Sequence, residues 1–326
     1  MRTKSAQRLR TVILGLLFSF LGSPHVFAAA LSVTLLGTGH PSPTMERFGP
    51  STLVEAGGER LLFDCGRGAS QRLWQRGTPL SAITVVFLTH LHSDHVVGIP
   101  DLWLTGWLPT PYGRRADPLR VMGPAGTSDM MSNLAAAFRE DIRFRIDDEK
   151  LPPRGAEIRA EDILEGVVYQ HADLKVTAFN VDHGVLIKPA FGYRVDYRDR
   201  SVVISGDTRF SENLIHFAKG ADVVVHEVAM AKPELLAKSE AARRIIEHHT
   251  TPDQVGIVFS RIAPRLAVYS HIVLLTTEPD VAAPTTADLV AATRRSYAGP
   301  LEVGEDLMTI DVGDTIEVHR VEAGRH

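Results

Sequence analysis

Apolar residues recur along this chain in short β-branched runs bounded by glycine or polar residues, the pattern of strands. "LSVTLLG" (31–37), "STLVEA" (51–56), "RLLFDCG" (60–66) and "AITVVFLT" (82–89) come first. "DLKVTAFNV", "AFGYRVDY", "RSVVISGD", "ADVVVHEV" and "LAVYSH" follow, and "LMTIDV" and "DTIEVHR" close the chain. The Gly57-Gly58 pair between the second and third runs predicts a hairpin turn. Helical patterning covers 96–108 and 127–142. Thr251, Pro252 and Gln254 together predict a capped helix start, with the helix running to about Ile262. A last helix opens near Thr286 and stops before Gly299. The stretch 138–166 is polar and loop-like, and reads as an edge excursion or a lid. Mixed strands and helices without an internal repeat predict an α/β (α+β) fold, two sheets covered by helices on their outer faces.

The N-terminus carries a different pattern. Arg2, Lys4, Arg8 and Arg10 precede the apolar run "TVILGLLFSFLG", and small residues then allow cleavage after Ala28 or Ala30. The run is shorter than the ~20 residues a spanning helix needs. Residues 1–30 are thus expected to be a signal peptide and 31–326 a single mature domain. That places the protein in the periplasm or outside the cell, with no stable membrane association after cleavage. The formal net charge of −4 gives no basic footprint for phosphate backbones, so no nucleic-acid partner is expected. The lone cysteine, Cys65, excludes an internal disulfide and reads as a small buried residue.

The chemistry concentrates in "THLHSDH" (89–95). His90, His92, Asp94 and His95 directly follow an apolar strand, so one short loop presents four donors that suit zinc, manganese or iron. Three further donors end apolar strands: His183, Asp207 and His271. Strand ends are where a rigid scaffold delivers side chains to a site. Two divalent metal ions match this count, zinc being the first choice. His90, His92 and His183 would hold one, Asp94, His95 and His271 the other, with Asp207 between them. His226 reads as a core residue, His40 as part of a Gly-rich turn, and Tyr193 as packing within its strand. Trp74, Trp103 and Trp107 are candidates for an aromatic pocket, with core packing as the alternative.

In order, "THLHSDH", "DHG", "SGDT" and "SHI" resemble the ligand motifs of the metallo-β-lactamase superfamily, whose fold is a four-layer αββα sandwich. Asp94, "FGYRV", "GDTR", "VVHEV" and "HHTTPDQ" narrow the resemblance to the branch holding tRNase Z and exported arylsulfatases. The resemblance implies that Asp94, Glu227 and His249 form a relay that stabilises charge and protonates the leaving group, while a bridging hydroxide attacks. His249 is preferred over its neighbour His248 because it lies next to the helix cap. The arm that tRNase Z enzymes use to grip tRNA is missing between "GYR" and "GDT". The first expectation is therefore an arylsulfatase-like hydrolase of small sulfate or phosphate esters, with a homodimer suggested by the branch. The alternatives are a phosphodiesterase or ribonuclease Z-like nuclease, a lactonase or β-lactamase-type carbonyl hydrolase, and a non-catalytic metal-binding module.

Overall fold

The computed structural model describes residues 31–321. The leader expected at residues 1–30 lies outside them. In the described part the strands are β1 (Leu31–Gly37), β2 (Ser51–Ala56), β3 (Glu59–Phe63), β4 (Val85–Phe87), β5 (Leu119–Gly123), β6 (Ile158–Asp162), β7 (Gly166–His171), β8 (Leu174–Val181), β9 (Ala190–Tyr197), β10 (Arg200–Ile204), β11 (Val223–Ala231), β12 (Leu266–Leu275), β13 (Leu301–Val303), β14 (Thr309–Val312) and β15 (Ile316–His319). One sheet runs β15-β14-β1-β2-β3-β4-β5-β6 and the other β13-β12-β11-β10-β9-β8-β7.

Unbroken apolar runs sort onto two faces because side chains alternate along a strand. Leu61, Phe63, Val85 and Phe87 meet Val202, Val223 and Val225 in the layer between the sheets. Their neighbours Leu62 and Val86 face outward and pack on Ile99, Leu102 and Trp103. On the opposite side, Val203 and Val224 pack on Val255, Val258 and Phe259. Helix, sheet, sheet and helix follow in that order, which is the expected αββα sandwich.

Strands β3 to β6 are parallel to one another, as are β10 to β13. Their carboxyl ends open toward a shared edge, the usual position of a site in such sheets. The β2–β3 hairpin turns on Gly57 and Gly58, both at positive φ. The cap at Thr251 is also present, its N–H donating to Gln254 Oε1 at 3.1 Å.

Two helical expectations need correction. The span 96–108 is split into Ser93–Val96 and Ile99–Trp107, so His95 lies inside a short first helix. The polar stretch 138–166 is no lid but an edge excursion, and it is more regular than a loop. It holds the helix Arg139–Asp147, a turn at Pro153–Ala156, and β6, which extends the first sheet. The helix has no fully buried residue, and only Ile142 and Ile146 pack inward, on Trp107, Leu151 and Ala156. Ion pairs at i,i+4 support it, Asp141–Arg145 at 3.1 Å and Arg145–Glu149 at 3.3 Å.

Candidate metal centre and acid–base pair

Seven donors predicted from widely separated strand ends converge at the sheet edge. His92 Nδ1 lies 2.9 Å from His90 Nε2 and 3.3 Å from His183 Nε2. On the other side, His271 Nε2 lies 3.3 Å from Asp94 Oδ2, and His95 Nε2 lies 3.6 Å from the same oxygen. Asp207 Oδ2 stands between the groups. It is 3.2 Å from His271, 3.4 Å from His95, 3.7 Å from His183 and 3.9 Å from His90, each measured to Nε2. The two expected triads, His90–His92–His183 and Asp94–His95–His271, both have their ligand atoms within 4.8 Å of one another.

The far nitrogens explain how these rings are aimed. Thr89 Oγ1 donates to Asp64 Oδ2 at 2.9 Å, so His90 Nδ1, 3.0 Å away, must donate to that hydroxyl oxygen. His95 Nδ1 donates to Asp64 Oδ2 at 2.7 Å, and His183 Nδ1 to the His248 carbonyl at 2.9 Å. Each bond fixes the tautomer that leaves Nε2 as a lone-pair donor. Burial, and then the facing His95, pushes His90 well below the usual imidazole range, and burial brings His183 down to about 4. Neutral rings are the form that binds metal. Burial opposes a charge on Asp207, yet His271 and His95 hold its carboxyl well below the usual range.

His95 Nε2 and Asp207 Oδ1 are buried and make no hydrogen bond in the protein. Buried polar atoms are rarely left so. With this donor set, they fit a pair of divalent cations shared through Asp207.

Asp64 is absent from the expected site, although it positions both Thr89 and His95. It closes the apolar run of "RLLFDCG", so the strand-end rule that singled out Asp207 applies to it equally.

Beside the donors lies the pair Glu227–His249. His249 Nδ1 donates to Glu227 Oε2 at 3.1 Å, and Thr250 N donates to Oε1 at 2.7 Å. Burial disfavours the imidazolium, but Glu227 outweighs it and raises His249 to about 9. The ring stacks 5.6 Å from His271 and lines a cavity of about 400 Å3 with His92, His183 and Asp207. Asp94 makes no direct hydrogen bond to His249; its contacts are His95 and His271, so the expected three-residue relay is a two-residue pair.

Other expectations divide. His226 is a core residue, its Nδ1 donating to the Glu227 carbonyl at 2.6 Å. Tyr193 is buried and donates to the Leu88 carbonyl at 2.6 Å. Cys65 is buried as expected, and burial pushes its thiol up. His40 lines the cavity rather than serving only the turn, and burial followed by His271 lowers it to about 4. No tryptophan lines the cavity. Trp103 and Trp107 are buried and donate to the Ala156 and Pro152 carbonyls, while half-exposed Trp74 packs on Tyr112.

Comparison with known proteins places this geometry. The family described as "Beta-lactamase superfamily domain" matches residues 59–272. A protein named Ribonuclease Z from Mycobacterium sp. (strain KMS) is 34% identical over 285 residues, covering 86% of this chain and 96% of that protein. The metallo-β-lactamase fold protein YhfI from Bacillus subtilis shares the fold with a TM-score of 0.66 at 15% identity, over 86% of this chain and 98% of its own. Human tRNase Z, short form, gives 0.60 at 21% identity, over 86% and 99%.

These relatives overturn the expectation that nucleic acid is excluded. That expectation used net charge, which averages over the whole surface, whereas a nuclease needs only a local electrostatic fit. It also used the missing arm. β9 and β10 are indeed joined by Arg198 and Asp199 alone, yet chains named Ribonuclease Z align along nearly their whole length. They likewise lend no support to an arylsulfatase. From the match over 59–272 and the convergence of the seven donors, the chain belongs to the metallo-β-lactamase superfamily and is a metal-dependent hydrolase.

Proposed function

We propose that the protein hydrolyses phosphodiester bonds in RNA, in the manner of the ribonuclease Z relatives, with two divalent ions held by His90, His92, Asp94, His95, His183, Asp207 and His271. The observation that carries this reading is His249, held by Glu227 at the rim of the donor cluster and raised to about 9. When bound, such ions supply Lewis acidity toward a phosphoryl oxygen and lower the pKa of water; zinc suits the imidazole-rich set, and manganese or iron are alternatives.

The chain's own residues do the rest. Asp207 keeps the two triads at a fixed spacing. Glu227 favours the protonated form of His249, whose Nε2 can give a proton to the departing oxygen as the P–O bond breaks and water's oxygen bonds to phosphorus. Glu227 holds the ring by Nδ1 and offsets the imidazolium charge. The net reaction consumes one water and yields one phosphomonoester and one hydroxyl.

The test is the purified full chain, loaded with zinc or manganese, assayed on single-stranded RNA, bis-p-nitrophenyl phosphate, p-nitrophenyl sulfate, a lactone and a β-lactam. Cleavage of RNA and the phosphate diester, lost in His249→Ala, is expected. Turnover of the sulfate, lactone or β-lactam alone refutes the proposal. Within the same proposal residues 31–326 act as one unit and 1–30 as an export leader. N-terminal sequencing of protein recovered from cell fractions checks the leader, and an intact Met1 in the cytosol would exclude it.

A further inference from the structure

One part of the cavity wall, continuing from the strand that carries His271, has no role in the chemistry above and is aliphatic. β12 continues four residues past His271, and Val273 and Leu275 line the cavity with Ile245, from the helix Glu240–Ile246. Val273 and Leu275 are buried in a small apolar cluster with Ala229, Leu235, Ala242 and Val281, set apart from the three large layers. Ile245 stands proud of that cluster at 37% exposure. Among the described residues lining the cavity there is no lysine or arginine.

That combination restricts what can occupy the wall. The cavity, about 400 Å3, is large enough for a small molecule beyond one phosphate. A second phosphate seated on Ile245, Val273 and Leu275 would lie against aliphatic groups with no lysine or arginine to neutralise it, an unfavourable burial of charge. An uncharged flat ring, by contrast, would cover the apolar wall and gain from leaving water. The wall also adjoins the acid, because Ile245 lies four residues before His249 in the segment that ends at Thr250. The group seated there therefore lies on the side from which the leaving oxygen departs.

We infer that Ile245, Val273 and Leu275 form a seat for the nucleobase on the leaving-group side of the scissile phosphate, and that Ile245 sets its affinity. This rests on the phosphodiesterase reading with His249 as acid. Ile245 is a specificity-determining residue and takes no part in proton transfer.

The experiment compares steady-state kinetics of the zinc-loaded full chain on three substrates: a ribodinucleotide, its counterpart with 1-deoxyribose in the leaving nucleoside, and bis-p-nitrophenyl phosphate. Removing the base is expected to raise KM about tenfold with kcat changed far less, the size of effect a few apolar contacts give. Ile245→Ser should raise KM for the intact dinucleotide by a similar factor and leave the abasic one unchanged, and Ile245→Leu should restore the wild-type value. The seat is overturned if base removal leaves KM unaltered, or if Ile245→Ser weakens both dinucleotides equally. Failure to turn over all three substrates is a different result, which removes the phosphodiesterase reading and the seat with it.

Discussion

Two carboxylate–imidazole pairs sit on opposite sides of the site and look alike in isolation. On the first sheet Asp64 holds His95 through Nδ1 at 2.7 Å; on the second Glu227 holds His249 through Nδ1 at 3.1 Å. What differs is the other end of each ring. His95 is fully buried, and its Nε2 faces Asp207 and Asp94 at 3.4 and 3.6 Å without a hydrogen bond. The His249 side chain keeps 10% of its exposure and lines the cavity beside the donors. In the proposed mechanism the same pair is thus a positioning device for a ligand in one place and an acid in the other. The partner of the distant nitrogen, and not the pair itself, sets the role.

That comparison can be broken in order of effect. Asp207→Ala should do the most, because the carboxylate serves both triads: metal analysis after dialysis should show loss of both ions, and activity should vanish. Retention of two tightly held ions would dismiss the shared role of Asp207. His249→Ala should lower kcat by about 10²–10⁴-fold, the usual contribution of a general acid, with two ions still bound. Asp64→Asn should do the reverse. Chelator competition should show metal affinity falling about 10–100-fold, as for other partners of ligating histidines, with kcat largely recovered at saturating metal. If Asp64→Asn and His249→Ala produced the same pattern, the two pairs would not have separate tasks.

A third carboxylate, remote from any imidazole, sharpens the contrast. Asp162 accepts hydrogen bonds from Ser128 N at 2.7 Å and Gly126 N at 3.0 Å, which hold it below the ordinary carboxylate range. A lowered folded-state pKa stabilises above the unfolded value and is lost as pH falls through the folded one. Asp162→Asn should therefore lower Tm slightly at pH 7, with the gap to wild type closing toward acid, and with metal content and kcat unchanged. A gap that widens on acidification would contradict that cause.

Legibility in the sequence followed local physics. Strand runs are plain because an apolar stretch bounded by glycines has few other stable arrangements, and most candidate donors are plain because they follow such runs; His271 instead lies within β12, which continues to Leu275. The helix Arg139–Asp147 is hard to read from sequence because its apolar face is narrow, Ile142 and Ile146 being half-buried against Trp107 and Leu151 while most of the rest is charged. Trp103 packs on the first sheet and Trp107 on Leu151 and Ala156, so neither forms an aromatic wall for the site. Asp64 ends an apolar run as Asp207 does, and the same strand-end rule finds it; what no local pattern announces is that it holds His95 rather than joining the donors.

By itself the sequence determined the alternation that builds two sheets and the superfamily, since residue type and order along the chain suffice for both, and it named the seven candidate donors that the fold brings together. Only the tertiary structure decided which carboxylate meets which imidazole, that Asp94 touches His271 and not His249, and that an aliphatic wall rather than a tryptophan faces the ligands. Those contacts join residues far apart in the chain, so packing of the whole sandwich, and no local preference, sets them.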